Sequence, residues 1–281
     1  MGNRVRWLPR RLGVHSGRIV DTCVFVSPLR PKTSHELQDA GEMSAGGEKC
    51  GEQMAEARLS DLIEEMDRAR VTASLVVLHE EADESLRLAI RHSGRLFGLA
   101  YFESHTPREG LERVQRLFDD HPDLMLGVTT AMPHFGQDPR LRDFVPLYEF
   151  CVERRLPVQF YAGRDSIEDE TCLPMAIAVL ARSYPRMKVV CQYRRSWPRE
   201  ALALLNRFAN VFLQVDGTSL HSLFRGTGSR KLLFGSHWQG RDPGYFERIE
   251  AVRRLPWWQR RNVSWRTAVR VYGPRILSLS V

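Results

Sequence analysis

The chain has 281 residues, 43% of them hydrophobic and 27% charged, a balance that supports a sizeable core and excludes an intrinsically disordered chain. Its 41 Lys and Arg against 34 Asp and Glu give a formal charge of +7, which invites a nucleic-acid reading. Cations are nevertheless scattered along the chain beside acids, and no helix-turn-helix, zinc-finger or RNA-recognition signature appears, so specific nucleic-acid binding is not expected.

The N-terminus, MGNRVRWLPRRLGVHSGRIVDTCVFVSP, is basic but lacks an apolar run of signal-peptide length, and no stretch approaches the roughly 18 apolar residues of a membrane span. A cytoplasmic protein is expected. The five cysteines are odd in number, lie far apart and form no CxxC pair, which argues against a disulfide framework or a zinc ribbon.

GRIVDTCVFV is an apolar, β-branched run of strand length ending in a Ser-Pro breaker. Residues 29–56 then turn to Pro, Gly, Ser, Lys and Glu, as in a long mobile loop overhanging that strand's end. From ARLSDLIEEMDRARV onward a regular alternation sets in, with Leu59, Leu62, Ile63 and Met66 at helical spacing. Strands TASLVVLH, RLFGLAYF, DLMLGVTT, LPVQFYAG, MKVVCQY, VFLQVDG and KLLFGSHW follow, separated by amphipathic helical segments. Each strand is a near-continuous apolar run, which suits parallel strands covered on both faces. Helices from about Tyr245 to Leu255 and from Trp265 to Tyr272 close the chain. Eight strand–helix units predict a (β/α)8 TIM barrel of the α/β class, one domain over 1–281 with C-terminal capping helices; such barrels run to about 250 residues. No glycine-rich phosphate loop follows any strand, which counts against a nucleotide fold.

In a barrel, ligands meet the C-terminal strand ends. That rule selects Asp21, Cys23 and Phe25 from the first strand, His79 and Glu80 from the second, and Glu103 with nearby His105 from the third. It adds Thr129 and Thr130, Gln159 and Tyr161, Tyr193 and Arg194, Asp216, and Ser236, His237 and Trp238. The acids and histidines also read as solvated loop residues, the cysteines as small buried hydrophobes and the tyrosines as rim packing. His237 stands apart, because LLFGSHW carries a strand through a Gly-Ser turn and then presents an imidazole followed by an indole.

These segments resemble the amidohydrolase superfamily, in the branch that includes aminocarboxymuconate semialdehyde decarboxylase and related hydrolases and decarboxylases, over nearly the whole chain. The resemblance implies a D-x-H-x-H first strand with two metal-ligating histidines. Here VDTCVFV keeps Asp21 and puts Cys23 and Phe25 at those positions. It implies a histidine where LPVQFYAG has Tyr161, another where MKVVCQY has Tyr193, and a ligating, general-base aspartate where LLFGSHW has His237. The glycine-rich turn of the family's sixth strand is here Arg194, Arg195 and Ser196, and its terminal Asn-Ala is Thr267-Ala268. Cys23 and His237 keep a competent donor, two where divalent ions take three or four. No metal and no cofactor are therefore expected.

Three readings stay open. The barrel is a pseudoenzyme binding a small, anionic metabolite or partnering an active homologue. Alternatively it is a metal-independent hydrolase, decarboxylase or lyase, with His237 as general acid or base, Tyr161, Tyr193 or Cys23 assisting, and Arg194 holding the substrate. A third possibility is a metal hydrolase with a rearranged ligand set recruiting His79, Glu103 or His105. Ligand contacts are expected from Asp21, Phe25, His79, Glu103, Gln159, Tyr193, Arg194, Asp216 and Trp238. By resemblance, a homodimer or a heterodimer with a related amidohydrolase is expected. LPWWQRRNVSWR forms such an interface or packs on the barrel.

Overall fold

The computed structural model describes residues 18–25, 59–78, 90, 93–132, 137–161, 172–217, 220–224, 227–238 and 244–277. The expected loop at 29–56 and most of the helix after the second strand lie outside these residues.

Eight strands form one sheet in sequence order: β1 Val20–Val24, β2 Ala73–Leu78, β3 Leu96–Phe102, β4 Met125–Thr130, β5 Val158–Phe160, β6 Val189–Gln192, β7 Val211–Val215 and β8 Leu232–Phe234. All seven consecutive pairs are parallel. Helices such as Pro107–Asp120, Val145–Glu153, Cys172–Ser183 and Arg199–Asn206 intervene, as the continuous apolar runs require. The barrel is a (β/α)8 TIM barrel.

The seam between β1 and β8 is thin. Among the described residues it holds a single parallel bridge, Val24 with Trp238, with Phe25 N donating to Trp238 O (2.8 Å) and His237 N to Cys23 O (2.9 Å). Side chains do the rest. Thr22 Oγ1 donates to Phe234 O (2.6 Å), and Asp21 Oδ1 accepts from Ser236 N (2.8 Å) while Oδ2 accepts from Ser236 Oγ (2.5 Å). A register shift in β1 between Asp21 and Val24 lets the neighbouring Thr22 and Cys23 both contribute to the interior.

Alternate residues face outward into one large cluster with the helices, among them Val24, Val76, Phe102, Phe160 and Phe234. Inward-facing Val20, Leu75, Leu99, Leu126, Val190, Phe212 and Leu233 fill the N-terminal half, closed by Ala268, Val271 and Tyr272 from the helix Thr267–Tyr272. The capping helices are thus a stopper for the barrel's N-terminal end. Their helical run starts earlier than expected, at Trp257, and passes through a π turn at Asn262–Arg266.

Candidate functional site

Above the apolar layer lies a polar one. Gln214 Nε2 donates to Thr22 Oγ1 (2.8 Å), to Thr22 O (3.2 Å) and to Gln159 Oε1 (3.3 Å), and Tyr272 Oη donates to the same Gln159 oxygen (2.6 Å). Gln159 and Gln214 are each 1% exposed. Gly235 makes room for this network, since a Cβ there would stand 2.6 Å from the Gln214 side-chain carbon. Tyr272 comes from the far end of the chain and reaches up through the stopper, which joins the two halves.

The uppermost layer holds Cys23, Phe25, Val77, Tyr101 and Ala131, with Tyr161 against them. His237 completes it. Its backbone is left-handed (φ 55°), a conformation uncommon without glycine, and this turn carries the imidazole back over the mouth. The Phe25 and His237 rings lie nearly parallel with centroids 6.3 Å apart. Tyr161 meets His237 at 5.5 Å and Phe25 edge-on at 5.4 Å. Gln192, at the end of β6, brings its Nε2 to 3.2 Å from His237 Nε2. In this orientation the amide donates, so the imidazole accepts on Nε2 and carries its proton on Nδ1.

Burial pushes the Cys23 thiol well above its usual range; the Asp21 carboxylate adds to this and the neighbouring Gln159 side chain partly offsets it. At neutral pH Cys23 is a protonated thiol, weak as a nucleophile. Burial, reinforced by Glu103, likewise pushes the Tyr101 phenol up. Among the described residues, no three His, Cys, Asp or Glu side chains are grouped to hold a metal ion.

Cys23, Phe25, Gln159, Tyr161 and His237 are brought together. Asp21 is buried in the β1–β8 seam with its carboxylate on Ser236 and the Cys23 amide. Trp238 faces the helix layer, its Nε1 donating to Glu65 Oε2 (2.5 Å). Tyr193 packs edge-on against Trp197 (6.0 Å) and the outer cluster, while Gln192 takes the inward position beside it. Glu103 is half-buried and accepts from the His105 amide (3.3 Å); Arg194 and Asp216 are half-buried just beyond β6 and β7. His79 lies outside the described residues. Sequence reasoning passed over Gln192, Gln214, Thr22 and Tyr101. Strict alternation from inward Val190 and Phe212 selects Gln192 and Gln214, and that signal was present in the sequence.

The amidohydrolase family profile matches residues 36–273. The chain belongs to the amidohydrolase family. Solved family-like barrels superpose over most of its length. A 4-oxalomesaconate hydratase from Rhodopseudomonas palustris has a TM-score of 0.63 at 14% identity, covering 92% of this chain and 96% of its own. A 5-carboxyvanillate decarboxylase from Sphingomonas paucimobilis has 0.62 at 16%, covering 92% and 99%. An uncharacterized TIM-barrel protein from Bordetella bronchiseptica has 0.59 at 17%, covering 92% and 98%. At these identities the likeness speaks for the fold. No curated protein matches the chain. Among the described residues, no helix is long and apolar enough to cross a membrane.

Proposed function

We propose that this amidohydrolase-family barrel works without a metal and binds a small aromatic carboxylate at its C-terminal mouth. One observation carries the reading. Phe25, Tyr161 and His237 stand where the family resemblance puts ligands, and their rings pack on one another above a protonated Cys23 thiol. A phenyl ring has no lone pair to give, and a divalent ion needs three or four His, Cys or carboxylate donors at one locus, so these residues do not fit one.

The same rings offer flat apolar faces to a planar ligand, and we assign half-buried Arg194, two residues beyond the end of β6, as the cation for its carboxylate. Structural neighbours that act on aromatic acids by name, 5-carboxyvanillate decarboxylase and 2,6-dihydroxybenzoate decarboxylase, suggest the probe. Calorimetry with 2,6-dihydroxybenzoate should give binding that needs no added metal and that Tyr161→Ala weakens at least about tenfold. Elemental analysis of protein purified without chelator should find far less than one equivalent of zinc, iron or manganese. About one equivalent, lost in His237→Ala, would overturn the proposal.

A second reading is favoured by the Gln192–His237 contact and the left-handed backbone that aims the imidazole: metal-free acid–base catalysis by His237. Turnover of the bound ligand by the wild type, abolished in His237→Ala with binding retained, would select it over binding alone.

A further inference from the structure

The chain ends in a basic, acid-free segment. Residues 251–281 contain seven arginines, from Arg253 to Arg275, and no Asp or Glu; the other 250 residues balance 34 cations against 34 acids. Acid-free basic stretches also occur at residues 1–20, with five arginines, and at 171–199, with six cations, so charge is not evenly scattered along the chain. The described part of this segment is laid across the N-terminal face of the barrel, the end opposite the mouth. Thr267 Oγ1 donates to Arg230 O (3.3 Å) just before β8, Lys188 Nζ, just before β6, donates to Arg270 O (2.7 Å), and Arg275 Nη1 donates to Pro122 O (3.0 Å) ahead of β4.

Part of the charge has a structural explanation. Arg260 donates to Arg253 O (3.0 Å), Arg270 to Arg230 O (3.0 Å), and Arg253 pairs with Glu250 (2.6 Å), contacts that hold helix ends and turns. They leave the two indoles unexplained. Trp257 and Trp258 are 59% and 56% exposed, three and four residues beyond exposed Arg254, and exposed Arg266 lies over the Trp265 ring in the same helical run. Large aromatic rings in water next to a surplus of arginine have the composition of an interface centre and rim.

We propose that this face docks an acidic protein segment bearing an apolar side chain, with Trp257 and Trp258 as the apolar anchor and the surrounding arginines as the electrostatic rim. Ring geometry favours a protein partner over a nucleic acid. The indoles meet edge to face at 86° with centroids 6.1 Å apart, and the Arg261 guanidinium lies 6.0 Å from the Trp257 centroid. Bases stack on open, parallel faces, whereas a compact aromatic knob fills a protein pocket. Because the surface is at the opposite end from the mouth, docking leaves the mouth open.

The test uses the full chain and three labelled probes of equal charge magnitude: a Glu-Leu peptide, its Lys-Leu counterpart and oligodeoxythymidine, followed by fluorescence anisotropy. Glu-Leu should bind and Lys-Leu should not. Trp257→Ser with Trp258→Ser should weaken Glu-Leu binding at least about tenfold, and Arg254→Ser with Arg266→Ser about fivefold, with the arginine-dependent part fading as salt rises. All four residues are exposed, and unchanged thermal melts should show that the variants fold. The proposal is overturned if Glu-Leu fails to bind, if the tryptophan variant binds it as well as the wild type, or if oligodeoxythymidine binds more tightly than Glu-Leu.

Discussion

The lower and upper halves of the barrel interior are built on different principles. Below, apolar side chains from seven strands and the Thr267–Tyr272 stopper fill the space, and the stopper's Tyr272 sends its hydroxyl up to Gln159. Above, amides, a thiol, phenols and an imidazole share the interior, and a non-glycine residue is held in left-handed backbone. Among the described residues, the other two in this conformation, Arg70 and Arg155, lie in turns that follow helices, where it ends the helix. Apolar packing dominates the lower half of the interior and polar groups the upper, which is the division a barrel scaffold allows.

The sharpest test of that division is a cavity in the lower half. Leu233→Ala removes a fully buried leucine side chain from a tightly packed layer, and urea melts should show a loss of about 2–5 kcal/mol. A cost below about 1 kcal/mol would mean that the lower half is not the stabilising one. The seam gives a second test, because Asp21 is buried there and desolvation lifts its carboxyl to about 6 against the hydrogen bonds from Ser236 and Cys23 that lower it. The folded chain thus holds this proton more tightly than the unfolded one. The Asp21 contribution to stability is accordingly greatest below pH ~4 and falls as pH rises towards 6, by up to about 3 kcal/mol. Asp21→Asn keeps an acceptor for Ser236 N and should flatten that decline in melts run from pH 4 to 7; a parallel decline in both proteins would refute the assignment.

The lower half was largely legible in the sequence, since unbroken apolar runs at regular spacing specify parallel strands whose alternate residues must meet in a core. The upper half was legible only in part. His237 was visible from its Gly-Ser turn, and Phe25 and Tyr161 from the family pattern. Gln192 was not, because the pattern drew attention to Tyr193, and only the alternation of β6 turns the glutamine inward. The seam was hidden for another reason. Asp21 and Ser236 are 215 residues apart, and their bond follows from where the barrel closes, which no local pattern encodes. Trp238 likewise reads as a mouth residue until the outward turn after His237 seats it against Glu65.

Strain at the mouth makes a smaller, opposite prediction. His237→Gly relieves a left-handed backbone while losing ring packing, and the two effects should leave stability within about 1 kcal/mol of wild type. Binding of 2,6-dihydroxybenzoate should meanwhile fall by at least about tenfold. A variant that loses both stability and binding in proportion would place His237 with the lower half, as a packing residue.

The smallest effect concerns a single contact. Gln192→Glu puts a carboxylate about where the amide nitrogen now lies, 3.2 Å from the imidazole. An adjacent negative charge favours the imidazolium, so the His237 pKa should rise by about one unit or more relative to wild type, read from the ring nitrogens by NMR. Gln192→Leu removes the donor without adding charge, so its ring-nitrogen shifts should report loss of the Nδ1-protonated form. If neither variant moves the His237 resonances, the amide does not touch the imidazole in solution, and the acid–base reading loses the group that orients its proton.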